Sequence, residues 1–278
     1  MEEVIRVENL VKVYGKNIAL KGISFSVRRG EIFSILGPNG AGKTTTVEIL
    51  EGVRKRTSGN VSVLGEDPNN FSAQLKEKLG IVFQETALFE NITVKETLNF
   101  FKKVYSGKRN IEEVMESLEL KRIERKLVKH LSGGQKRRLL LATLMVHDPE
   151  IVFLDEPTTG LDPAARRKIW EMIRKMKSEG KTIILTTHYM EEAQELSDRV
   201  MIMNDGEIVE MGTVDEIIKR SGLKSIVKAK LKGQEKEFET ERPEELVVEL
   251  LKEGAVEIQI RKPNLDDVFL HLTGGKLV

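Results

Sequence analysis

The stretch Gly37-Pro38-Asn39-Gly40-Ala41-Gly42-Lys43-Thr44-Thr45 matches the pattern G-x-x-x-x-G-K-[ST] at every fixed position, and the chemistry of that pattern is the holding of phosphate. Glycines at 37, 40 and 42 let the backbone curl so that successive N–H groups turn inward toward an anion. A helix that starts where the curl ends adds the partial positive charge of its first turn. Lys43 supplies a full charge for the terminal phosphates, and the Thr44 hydroxyl is a hard oxygen of the kind that coordinates Mg²⁺. The bland alternative, a glycine-rich turn with a chance Lys-Thr pair, has to account for every fixed position at once.

A second chemical pair, Asp155-Glu156, directly follows the apolar run Ile151-Val152-Phe153-Leu154. Adjacent carboxylates at the tip of a buried strand repel each other and are costly there unless a cation or a proton-transfer role compensates. Asp155 is placed for Mg²⁺ through water, and Glu156 for an attacking water. His188 ends another apolar run, 182–187, where a histidine can donate to a phosphate or a bound water, although a lone histidine is more often inert. Gln84 follows the run 79–83, at the strand end where open α/β sheets place their ligands; its amide suits a metal or a water, and a surface glutamine is the competing reading. In Leu131-Ser132-Gly133-Gly134-Gln135 a helix N-cap precedes two glycines that bare the backbone N–H groups, which makes either a second anion site or a plain capped helix. Tyr14, beside Gly15, is either a flat ring for stacking on a purine or a half-exposed strand-end tyrosine.

These side chains need a scaffold that gathers strand ends. Residues 31–36 read as a buried strand and 45–51 as the opening of a helix, with the glycine loop between them. Residues 4–13 and 23–27 alternate and predict an antiparallel β layer, and 59–64, 79–83, 151–154 and 182–187 read as further strands. From 91 to about 147 the period becomes helical, with Val94, Leu98, Phe101, Val104 and Tyr105 on one face and Ile111, Val114, Met115 and Leu118 on another. Phe89, Phe100, Phe101 and Tyr105 serve either the core of this insert or an exposed patch for a partner. Helices at 163–178 and 191–196 and a hairpin through Asp205-Gly206 complete the larger part. Past Gly212 the character shifts: helix 214–220, strand 225–231, helix 243–253, strand 256–260 and helix 264–272 make a small α+β appendage with no cluster of His, Asp and Glu.

The chain's 278 residues hold one large domain and a small one, and 40% hydrophobic residues suffice for a substantial core. With 45 Lys and Arg against 44 Asp and Glu, the net charge of +1 creates no overall field for nucleic acid or acidic lipid, so no nucleic-acid partner is expected. The absence of cysteine excludes disulfides and thiolate metal sites. No leader pattern opens the sequence, and the longest apolar run, 139–146, falls far short of the ~20 residues that span a bilayer.

In this order and spacing the residues resemble the nucleotide-binding subunit of ATP-binding cassette (ABC) transporters across about residues 1–215. On that resemblance the stretch from Gly37 to Thr45 looks like the Walker A loop, Gln84 like the Q-loop glutamine, and Leu131 to Gln135 like the family signature in its full form. Asp155 and Glu156 look like the Walker B aspartate and the catalytic glutamate, Asp162 like the D-loop aspartate, His188 like the switch histidine and Tyr14 like the adenine-stacking aromatic. The resemblance implies an α/β P-loop NTPase (RecA-like) core with an antiparallel β subdomain and a helical signature subdomain at about 90–147, followed by the accessory piece at 216–278. It further implies ATP and Mg²⁺ as ligands, with Thr44, Gln84 and, through water, Asp155 around the metal. The expected partners are a second ATPase subunit, the same or different, in a head-to-tail dimer, and a separately encoded membrane permease at the cytoplasmic face of the cell membrane. In that dimer ATP lies between the phosphate loop of one chain and the Ser132 signature of the other.

The segment 264–274 is similar to the closing segment of the drug-resistance type of ABC-2 exporter ATPases, as is Ile49-Leu50-Glu51-Gly52-Val53. DNA-repair and chromosome-organising ATPases share the nucleotide site but place a long coiled coil between loop and signature, where this chain has a compact insert without sustained heptads. The ribosome-acting branch carries two cassettes per chain, and a non-hydrolysing regulatory module would not need Glu156 and His188.

Overall fold

The run ahead of the glycine loop is a wholly buried strand, flanked by two layers that its own alternation defines. In chain order the elements of the larger part are β1 (Glu3–Tyr14), β2 (Asn17–Arg28), β3 (Ile32–Leu36), α1 (Lys43–Leu50), β4 (Ser58–Val63), α2 (Ala73–Lys76) and β5 (Leu79–Val82). There follow α3 (Val94–Val104), α4 (Ile111–Ser117), α5 (Gly133–His147), β6 (Ile151–Asp155), α6 (Pro163–Ser178), β7 (Thr182–Thr187), α7 (Met190–Leu196), β8 (Arg199–Asn204) and β9 (Glu207–Gly212). The computed structural model describes residues 2–82, 88–105, 107, 109–231 and 233–273, which fall into two compact units, Met1–Met211 and Gly212–Val278.

The main sheet has the order β5-β6-β7-β3-β8-β9, and β5 through β8 run parallel. Period-two alternation sorts its side chains. Phe33, Ile35, Ile151, Phe153, Ile184, Met201 and Met203 face the smaller antiparallel sheet β2-β1-β4 and α1, where Phe25 of β2 stacks on Phe33 with ring centroids 5.6 Å apart. Ile32, Val152, Leu154, Ile183 and Leu185 face the helical layer of α3, α4, α5 and α6. Truncating a fully buried ring such as Phe153 would cost about 3–5 kcal/mol. Both antiparallel strands extend beyond their alternating runs, because β1 and β2 pair from Glu3 and Arg28 to the turn at Tyr14 and Asn17. The hairpin into β9 turns at Asp205 and Gly206, both at positive φ (46° and 76°), as a type I′ turn requires.

Helix α5 is buried along most of its length, from Leu139 to His147 on all sides, and its N-terminus is fixed by a capping box. Ser132 Oγ accepts from the Gln135 N–H at 3.3 Å, and Gln135 Oε1 accepts from the Ser132 N–H at 3.1 Å. Helix α3 buries Val94 and Leu98, but Val104, assigned by periodicity to the same face, is 54% exposed where the helix ends. Phe89 (57% exposed) and Phe100 (42%) meet edge to face at 5.2 Å, so this end of the aromatic group is a surface patch.

The second unit contains α8 (Val214–Ser221), β10 (Ser225–Leu231), β11 (Gln234–Thr240), α9 (Pro243–Lys252), β12 (Val256–Arg261) and α10 (Leu265–Thr273). Its antiparallel sheet, β11-β10-β12, lays Val227, Ala229 and Leu231 against Leu250 of α9 and Ala255. Strand β11 is absent from the sequence reading: Gln-Glu-Lys-Glu-Phe-Glu-Thr has one apolar side chain, and cross-strand pairing such as Lys228 to Glu237 at 2.9 Å organises the rest.

Candidate functional site

The phosphate loop is packed tightly on its neighbours at two of its glycines, Gly37 and Gly42. Gly37, Gly40 and Gly42 have φ of 150°, 82° and 102°. A Cβ at Gly37 would strike the Met203 carbonyl of β8, and one at Gly42 would come within 2.7 Å of Leu20 Cδ2, so other residues are excluded by space as well as by backbone. Gly42 is also the N-cap of α1 and offers no side-chain bond to the helix's first N–H groups, the arrangement that suits an anion. Lys43 Nζ is buried and donates to the carbonyls of Gly37 (2.7 Å) and Pro38 (3.0 Å). Burial pushes its ammonium down from the ordinary lysine range, and the charges of Glu156 and Asp155 oppose that shift. Pro38 is half-buried, Ala41 buried, Asn39, Gly40 and Thr44 exposed, and Thr45 half-buried.

Asp155 ends β6, and Glu156 turns the chain away at φ 45°, a left-handed conformation that costs a non-glycine residue about 1–3 kcal/mol. Thr186, on the neighbouring β7, organises both: its hydroxyl donates to Asp155 Oδ1 and accepts from the Glu156 N–H at 3.2 Å, while its carbonyl accepts from the same N–H at 3.0 Å. Burial raises the Asp155 carboxyl above the usual range; the Thr186 hydrogen bond lowers it, the Glu156 charge raises it and Lys43 lowers it. Glu156 Oε2 accepts from the Thr159 hydroxyl at 3.0 Å, and Oε1 lies 3.1 Å from His188 Nδ1. Lys43, Asp155, Glu156 and His188 therefore gather at one edge of the parallel sheet, beyond the carboxyl ends of β3, β6 and β7. Thr44 and Asp155 are hard oxygen donors, and no cluster of three or more His, Asp and Glu among the described residues could cage a metal alone. That donor set fits Mg²⁺, which binds through one or two side-chain oxygens together with substrate phosphates and water.

The remaining candidates make bonds in their own neighbourhoods. Ser132 and Gly133 are exposed at the start of α5, and the Gln135 side chain completes the capping box. Gly134 packs closely on α6, where an added Cβ would sit 3.2 Å from Ala165 Cβ, whereas one at Gly133 would meet nothing within 4 Å. Asp162 caps α6, its Oδ1 accepting from the N–H groups of Ala164 and Ala165 at 3.0 and 2.9 Å. Tyr14 is exposed at the β1 end with Lys12 Nζ 4.7 Å from its ring centroid and the Arg54 guanidinium 5.3 Å away. Gln84 lies outside the described residues.

Sequence reasoning overlooked Thr186, Arg137 and Glu192. Arg137, two residues past the signature, is buried and donates from Nη2 to the Glu156 carbonyl at 2.9 Å. Glu192, fully buried just after His188, accepts from Trp170 Nε1 at 2.9 Å; burial raises its carboxyl, and the Thr187 and Thr158 hydroxyls and Trp170 counter this. Arg137 shares a helix face with Leu141 and Leu144, at i+4 and i+7, so an arginine on an apolar stripe was the available signal.

Residues 20–159 match the family described as ABC transporter. The linearmycin resistance ATP-binding protein of Bacillus subtilis is 35% identical, over 99% of this chain and 99% of its own length. A Nod factor export ATP-binding protein of Rhizobium etli is 39% identical over 96% and 92%, and a daunorubicin resistance ATP-binding protein of Streptomyces coeruleorubidus 34% over 98% and 96%. The chain thus belongs to the ABC transporter family, whose ATP-binding subunits bind nucleotide and hydrolyse ATP to power transport. Among solved structures, a subunit from Clostridium perfringens that is part of an ABC transporter complex superposes with a TM-score of 0.69 at 30% identity, covering 79% of this chain and 94% of its own. An ABC-transporter cassette in its ADP conformation gives 0.70 at 25%, covering 80% and 95%. These neighbours establish the P-loop NTPase fold with its antiparallel sheet.

Proposed function

We propose that this chain is the motor subunit of an ABC-2 type exporter, with the larger unit as the ATPase domain, about 90–147 as its signature subdomain and the smaller unit, which begins at Gly212 rather than at the expected 216, as an accessory domain. The observation that carries the reading is the meeting of Lys43, Asp155, Glu156 and His188 at one sheet edge, with Glu156 bonded to His188 at 3.1 Å. ATP is the substrate. Its phosphates lie in the loop from Gly37 to Thr45, where the α1 N-terminus and Lys43 stabilise the charge that develops in transfer. Thr44, Asp155 and Gln84 would hold Mg²⁺, which when bound neutralises phosphate charge. Glu156 takes the proton of the attacking water, and His188, with Nδ1–H committed to Glu156, keeps Nε2 for the γ-phosphate. Tyr14 stacks on the base.

The signature acts on a second subunit's ATP in a head-to-tail dimer. Gly133 supports this, because among the described residues no atom would meet a Cβ added there, and its bareness serves something that approaches from outside. Asp162 lies at the same interface, beside Ala165 and Gly134. Relatives named as ATP-binding proteins of exporters support a path for cargo in a separate permease, on whose cytoplasmic face the subunit docks. The exposed Phe89–Phe100 pair is a suitable anchor for it. Exporters are favoured by relatives named for linearmycin and daunorubicin resistance and for Nod factor export.

Phosphate release from ATP and Mg²⁺ by the purified chain tests the motor reading. Lys43→Ala should abolish nucleotide binding in a calorimetric titration, since it removes the charge presented to the phosphates. Unchanged affinity would overturn the assignment of the loop.

A further inference from the structure

We infer that Arg137 is a positioning residue that ties the signature end of α5 to the placement of Glu156 in the same chain, and so makes the two nucleotide sites of the dimer interdependent. The inference rests on the head-to-tail arrangement proposed above. Arg137 is only 8% exposed, in a helix otherwise packed with leucines, and arginine is kept in such a place only when its charge is matched. Asp155, Glu156 and Glu192 are the charges that face it, while its Nη2 donates to the Glu156 carbonyl at 2.9 Å.

That carbonyl belongs to the residue held at φ 45°. The bond from the Glu156 N–H to Thr186 and the bond from the Thr159 N–H to the Glu156 carbonyl at 3.3 Å come from the adjoining strand and from the turn itself. Arg137 comes from elsewhere. It stands five residues, about 7.5 Å of helix, from Ser132, whose end of α5 is exposed and fixed by a reciprocal cap. Gly134 also presses that end against α6. When a neighbouring subunit's ATP engages Ser132 and Gly133, the whole rigid helix start is loaded, and Arg137 transmits its position to Glu156. Glu156 serves the chain's own phosphate loop, so occupancy of one site sets the carboxylate of the other.

Arg137→Met keeps length and burial but removes the donors; Arg137→Lys keeps the charge and a single donor nitrogen in place of the guanidinium fork. In the full chain, the Met variant should bind ATP within about twofold of wild type, lose at least about tenfold in kcat as its carboxylate drifts, and show a Hill coefficient near 1 where wild type approaches 2. The Lys variant should fall between, and it carries the comparison if melting curves show that the Met variant does not fold. A fall in kcat with an unchanged Hill coefficient would mean a local clamp and overturn the coupling, as would a non-cooperative wild type. A wild-type chain that neither releases phosphate nor dimerises with ATP would overturn the motor reading and this inference together, and it registers before any variant is compared.

Discussion

His188 Nδ1 lies 3.1 Å from Glu156 Oε1, across the ends of the adjacent strands β7 and β6. The Glu156 side chain is 12% exposed and its other oxygen is held by Thr159, so the carboxylate is fixed at both oxygens before any water reaches it. His188→Ala removes one of these restraints and leaves Lys43 and the loop intact. ATP affinity should therefore fall by less than about tenfold while kcat falls by about 100-fold or more, the usual worth of a donor aimed at charge that develops in the transition state. Equal losses in binding and turnover would place His188 in ground-state binding instead.

Glu51, at the C-cap of α1, gives the protein a pH dependence of stability. Burial pushes its carboxyl from 4.5 up to about 8, with the negative charges of Asp155 and Glu48 adding to the effect. The folded state holds a proton that the unfolded chain releases above about pH 4.5, so this contribution is complete below that pH and drains as pH rises toward 8. Each unit of separation corresponds to about 1.4 kcal/mol. Glu51→Gln cannot titrate. Between pH 5 and pH 8.5 the wild-type melting temperature should drop by about 5 °C or more beyond any drop in the variant. Parallel curves for the two proteins would show that Glu51 is ionised in the fold.

The strand, loop and helix around Lys43 were legible because each has a local cause: an apolar run, glycines, a helix start. The second unit's β10 and α9 were legible for the same reason, since Val227, Ala229 and Leu231 alternate and Leu246 and Leu250 recur at helical spacing. Strand β11 was not, because its strand character comes from pairing with Lys228 and Lys230 rather than from its own pattern. Glu156 was visible as half of a carboxylate pair, but the residues that hold it were not: Thr186, Thr159 and Arg137 converge from β7, a turn and α5. Such convergence is tertiary, and no local window contains it. Val104 errs the other way, apolar at the right spacing yet exposed because α3 stops there.

Glu156→Gln should convert the chain into a stable ATP-dependent dimer. The amide keeps the size and much of the hydrogen bonding of the carboxylate but cannot take a proton from water, so the bridge between subunits forms and is not discharged. Each ATP would join the Lys43 loop of one chain to the start of α5 in the other, where Ser132 and Gly133 are exposed and Gly133 leaves room for a phosphate to approach the backbone. Dimer stability then depends on both ends. Adding Ser132→Arg places a long side chain at the helix start and removes the hydroxyl that caps the Gln135 N–H, so the double variant should return to monomer while still binding ATP at its own loop. Size-exclusion chromatography with ATP, low Mg²⁺ and no other protein reads both outcomes. If Glu156→Gln binds ATP tightly and elutes as a monomer, either Glu156 is not the base or the chain pairs only with a different cassette; a mixture with candidate partner cassettes separates the two. If the double variant remains a dimer, the contact between chains lies away from the signature and the head-to-tail arrangement falls.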